Sequence, residues 1–177
     1  MKHALAAGLV VALAAAATAA ANDDPPRREC GARIESGRGP LAFPTAGSAL
    51  VVGPVAFPGL SRVATPAGLG RRRPDGRFAS KAAVLVRSAR PVVLSVPERF
   101  RSRLFLHYTR GEEGTPEVQL EPCPPATRAF SYHGRVGPVT GFSGGFSLTE
   151  RGCYPLDVRV VGGRTERVRI AFGYPCR

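Results

Sequence analysis

Apolar residues along this chain fall in short runs, many alternating with polar residues and each closed by Gly or Pro. Leu50-Val51-Val52 and Val55-Ala56-Phe57 flank Gly53-Pro54. Ala83-Val84-Leu85-Val86 leads through Ser88-Ala89-Arg90-Pro91 into Val92-Val93-Leu94-Ser95-Val96. Leu104-Phe105-Leu106-His107-Tyr108, Val118-Gln119-Leu120, Phe130-Ser131-Tyr132, Phe146-Ser147-Leu148, residues 156–161 and residues 168–172 complete the set. A period of two is that of a half-buried strand, and no window sustains a capped helical period. The pattern predicts an all-β fold, a single antiparallel β-sandwich over residues 49–177. Residues 22–48, rich in Gly and Pro, read as an irregular lead-in. Residues 57–80 read as a loop with a turn at Pro74-Asp75-Gly76.

The last two runs predict their own pairing. Opposed residues of an antiparallel pair share a face. A loop of Gly162-Gly163-Arg164 therefore sets Leu156 against Ile170 and Val158 against Val168 on the buried side, with Asp157 against Arg169 outside. It also leaves Arg159 facing Arg167.

The N-terminus changes the compartment. Met1-Lys2-His3 is a basic start, Ala4 to Ala17 is apolar, and Thr18-Ala19-Ala20-Ala21 supplies small residues. This is the secretory pattern, with cleavage expected after Ala21 and residues 1–21 as the signal peptide. A secreted or cell-surface protein with no transmembrane span after cleavage is the expectation. Cys30, Cys123, Cys153 and Cys176 then read as two disulfides rather than as metal or redox sites, because no Cys-x-x-Cys pair is present. Of three possible connectivities, Cys123–Cys153 is expected from the clustering of strand ends, and Cys30–Cys176 from the proximity of domain termini.

At Gly144-Gly145-Phe146 and Gly152-Cys153-Tyr154-Pro155-Leu156-Asp157-Val158 the chain resembles uncharacterised secreted bacterial proteins with immunoglobulin-like sandwiches. Their late strands carry Gly-Phe, then Gly-Cys-aromatic and alternating apolar residues. The resemblance spans roughly residues 120–176, with Tyr154 where such domains carry Trp. It implies an immunoglobulin-like fold and export, and brings no catalytic residues with it.

Candidate chemistry is sparse. Gly141-Phe142-Ser143-Gly144-Gly145 matches a nucleophile-elbow pattern, but that motif needs a following helix and a later His. The only histidines beyond residue 3 are His107 and His133, both upstream. They read as packing or surface residues, and Glu112-Glu113 as a solvated turn. No phosphate loop or dinucleotide fingerprint occurs, so neither a cofactor nor a metal is expected.

Charge is the remaining signal. The chain has 25 Lys+Arg against 13 Asp+Glu, a formal +12. Beyond residue 21 only Lys81 is lysine, and the rest of the basic side chains are arginine. Arg71, Arg72, Arg73 and Arg77 form the densest cluster and predict an exposed basic loop suited to phosphate or carboxylate. Arg99, Arg101 and Arg103 form a second cluster. Ala, Gly, Pro and Arg together supply 86 of 177 residues, a bias that GC-rich codons also produce. Export argues against nucleic acid as the partner. The reading is a non-catalytic binding or structural module outside the cytoplasm, contacting anionic cell-wall or surface polymers through Arg-rich loops. An exported hydrolase with a site assembled from loops, and an accessory protein binding a partner protein by a sheet edge, are the alternatives.

Overall fold

The computed structural model describes residues 24–45, 47, 49–110 and 113–176. The signal expected at residues 1–21 lies outside the described residues, as does Glu112. The fold is mostly β, with three sheets rather than the two of a single sandwich. Five strands, β1 (Arg27–Arg28), β9 (Glu117–Leu120), β7 (Val92–Ser95), β12 (Gly152–Val160) and β13 (Thr165–Phe172), form one sheet in that order. A second has the order β2 (Arg33–Ile34), β10 (Thr140–Phe142), β6 (Val84–Val86), β4 (Val55–Pro58) and β3 (Ala49–Val52). The third is β5 (Phe78–Lys81), β11 (Gly145–Leu148) and β8 (Leu104–Leu106).

One core serves all three. Phe146 of β11 packs its ring on Phe57 of β4, on Tyr108 and on Phe172 of β13. Two sheets of equal extent cannot account for this arrangement, because the second and third sheets share one bent strand pair. Phe142 pairs with Val84, and Gly145 pairs with Lys81, in one common register. Between them the ladder breaks at Ala82-Ala83 and Ser143-Gly144. The Ala82 N–H still donates to the Gly144 carbonyl at 3.0 Å. The Ala82 carbonyl instead accepts from the Tyr108 hydroxyl at 2.8 Å, so a fully buried tyrosine wedges the break.

Several sequence expectations require correction. The lead-in carries β1, parallel to β9, and β2, antiparallel to β10. The stretch 57–80 contains β5, the 3-10 helix Leu60–Ala64 and a single helical turn, α1 (Pro66–Leu69), whose N-cap Thr65 accepts from the Gly68 N–H. These are too short to show a period, yet they bury Leu60, Val63 and Leu69. Phe130-Ser131-Tyr132 is not a strand but part of a loop closed by the bridge Arg128↔Arg135, and Phe130 is exposed.

The hairpin of β12 and β13 keeps its faces but slips by two residues. Leu156 opposes Val168 and Asp157 opposes Arg167. Gly162, at φ 76°, supplies the left-handed position one residue earlier than Gly163 would. The slip replaces the Arg159–Arg167 opposition with Arg159 against Thr165. Arg167 then grips Asp157 with two hydrogen bonds, at 2.6 and 2.8 Å. The slip removes a like-charged opposition and changes the arginine facing Asp157 from Arg169 to Arg167.

Both cysteine pairings differ from those expected. The bridges are Cys30–Cys123 and Cys153–Cys176. The parallel pairing of Arg28 with Leu120 delivers Cys30 and Cys123 to the same sheet end, with 4.8 Å between Cα atoms. Cys176 follows β13 closely and folds back onto the start of β12, 5.3 Å from Cys153. The sequence separations are 93 and 23. On chain entropy these closures are worth about 4.7 and about 3.5 kcal/mol.

Candidate functional site

The break between the second and third sheets opens a cavity of about 580 Å³. Its walls are Ala79, Ser80, Ala82 and Ala83 of the β5–β6 segment, Ser143, Gly144 and Gly145, and Ile34 from β2. Arg73, Lys81 and His107 bring the titratable groups. No carboxylate lines it.

Local sequence explains the shape. A Cβ on Gly144 would stand 2.2 Å from Tyr108 Cδ1 and 2.6 Å from the His107 carbonyl. One on Gly145 would stand 2.1 Å from the Ser80 carbonyl. The glycines of the Gly-x-Ser-x-Gly pattern therefore permit close backbone approach. Ser143 is exposed on a link from strand to strand, and the helix that a nucleophile elbow requires is not formed there.

His107 lies just beyond β8, and its backbone N–H donates to the Gly145 carbonyl at 2.9 Å. Its Nε2 shares a hydrogen bond of 2.6 Å with the Ser147 hydroxyl. Burial, then the positive charges of Arg77 and Arg73, hold the imidazole below its ordinary 6.5, against the opposing pull of Asp75. Burial and both arginines thus favour the uncharged ring. Ser147 is buried and does not line the cavity. The pair is thus a clamp on the imidazole rather than a nucleophile presented to a substrate. His133 is exposed in the loop closed by the bridge Arg128↔Arg135 and does not line the cavity.

The four arginines divide into two roles. In the loop, the Gly76 N–H donates to the Arg73 carbonyl, and Asp75 accepts from the Arg77 backbone N–H at 3.0 Å, closing the expected turn. Asp75 thereby serves the backbone instead of forming an ion pair with a guanidinium. Arg77 is only half exposed. It lies 4.1 Å over the Phe105 ring and donates to the Glu113 carbonyl at 3.3 Å. Arg72 donates to the Thr149 carbonyl at 3.0 Å and sits over Phe78. These two are struts. Arg71 and Arg73 are exposed, and no side-chain hydrogen bond or ion pair holds either of them among the described residues. Nothing in the sequence distinguishes the four arginines, and Lys81, Ile34 and His107 become parts of one site only through the fold. Lys81 carried a signal, as the sole lysine beyond residue 21 in an arginine-rich chain.

The second cluster is structural in part. Arg99 covers the Phe100 ring, and Arg101 donates to the Val96 carbonyl at 3.3 Å. Among the described residues no group of three or more His, Cys, Asp or Glu is placed to hold a metal ion. No described helix is long and apolar enough to cross a membrane. Comparison with protein-family models, with curated proteins and with solved structures finds no match to this chain.

Proposed function

We propose that this protein is a binding module that works outside the cytoplasm and takes an anionic partner at the 71–77 loop and the cavity beside it. The observation that carries the reading is the lining itself: Arg73 and Lys81 flank a preformed hollow that has no carboxylate. Two disulfides among the described residues, with no free thiol, support an oxidising compartment. The basic balance of the whole chain adds long-range attraction for a polyanion.

The test is retention on a heparin matrix across a salt gradient, which screens such contacts. The triple variant Arg71→Ser, Arg73→Ser, Lys81→Ser is expected to elute at clearly lower salt with an unchanged melting temperature. Arg72 and Arg77 are left intact because they brace the loop. Unchanged elution would overturn the reading and assign the arginine content to codon bias.

A further inference from the structure

Building on the anion-binding reading, we infer that the cavity takes an anionic amphiphile, one carboxylate or phosphate head carried on an alkyl or acyl chain. The lining joins two cations, Arg73 and Lys81, to a surface that is mostly apolar. Ile34, Ala79, Ala82 and Ala83 provide side chains that cannot hydrogen-bond, and Ser80 and Ser143 are the hydroxyl-bearing residues of the lining. Gly144 and Gly145 add bare backbone. A hydrated polyanion segment gains nothing against such a wall, whereas each methylene moved onto it leaves water favourably.

The alternatives fit less well. A sugar ring favours a Phe, Tyr or Trp platform, and among the described residues the only such ring in the lining, that of Phe146, is 1% exposed and packed in the core. An extended polymer needs cations spaced along a surface. Here Arg73 and Lys81 converge on one hollow whose volume of about 580 Å³ is that of a small-molecule site. The walls are also fixed in advance. Tyr108 wedges the strand break, Ser147 clamps His107, and Gly144 and Gly145 sit against neighbours that leave no room for a side chain. A preformed hollow binds with little ordering cost.

Isothermal titration of the folded protein with decanoate and with decyl phosphate, each kept monomeric, is the test. Decanol and inorganic phosphate serve as controls for chain and charge alone. Saturable binding of either amphiphile, with both controls weaker by about tenfold or more, supports the inference. The stronger of the two amphiphiles indicates whether the natural source is a free acid or a phosphate-bearing lipid. Arg73→Ser with Lys81→Ser is expected to weaken binding about tenfold. Ala83→Leu is expected to abolish it by filling the cavity, and Ala79→Leu stands in if that variant does not fold. Inorganic phosphate binding as well as decyl phosphate would overturn the inference. So would undiminished binding in a folded leucine variant, or capture by phosphatidylglycerol vesicles without binding of the monomers. Heparin retention that persists while both amphiphiles fail would overturn this inference and leave the anion-binding reading standing. Failure of both assays would overturn both.

Discussion

At Gly144 one missing methyl group decides the shape of the site. Tyr108 fills the break in the strand pair, and its ring occupies the position where a residue-144 Cβ would be. Gly144→Ala must therefore push the wedge out of a core that has little slack. The expected cost is about 1–3 kcal/mol, as for overpacking generally. Urea denaturation measures it, and decanoate binding should weaken in parallel because the cavity floor moves. An unchanged midpoint would mean that Tyr108 does not hold the break. The Gly-x-Ser-x-Gly pattern was legible in the sequence, but its meaning was not. Gly144 and Gly145 are required by contacts to Tyr108, His107 and Ser80, which lie some 35 to 65 residues earlier in the chain.

At the scale of elements, the segment 24–45 shows how two very short strands can be held. β1 and β2 contain two residues each, too few to be stable alone. Glu35 supplies the missing anchor. Its carboxylate pairs with Arg33 at 2.7 Å and accepts from the backbone N–H groups of Phe130 and Ser131 at 2.6 and 3.1 Å. Its side chain is 4% exposed. Burial alone would raise its pKa, but the hydrogen bonds from Arg33, Phe130 and Ser131 and the Arg33 charge outweigh it and hold Glu35 below the ordinary 4.5. A folded value below the unfolded one means that the stabilisation is present above about pH 4.5 and is lost as the pH falls through the folded value. Glu35→Gln should cost about 1–3 kcal/mol at neutral pH and remove that part of the acid sensitivity. Thermal melts of both proteins between pH 3 and pH 7 check this. Parallel pH profiles would show that Glu35 does not carry the effect.

For the whole molecule, Phe146 is where the three sheets meet. It is 1% exposed and touches rings from the first and second sheets as well as Tyr108. Phe146→Ala removes contacts from all of them at once and should cost about 3–5 kcal/mol. That is a large share of a domain stability of about 5–15 kcal/mol. One cooperative transition at a lower denaturant midpoint is the expected result. Two resolved transitions would show that the sheets do not share a single core.

The chain by itself determined the β character, most strand positions, the Pro74-Asp75-Gly76 turn and the faces of the last hairpin. Each of these follows from nearest-neighbour chemistry: alternation, Gly and Pro geometry, and the even parity of opposed residues. Only the tertiary structure decided the disulfide partners, the two-residue slip of that hairpin, the division into three sheets and the separation of four similar arginines into struts and exposed cations. These outcomes depend on contacts between residues far apart in sequence. Arg28 beside Leu120 aligns one disulfide, Tyr108 beside Gly144 opens the cavity, and Phe105 and Thr149 fix Arg77 and Arg72. Asp157 faces an arginine in either hairpin register, Arg169 or Arg167, so the observed register differs electrostatically by setting Arg159 against Thr165 rather than against Arg167.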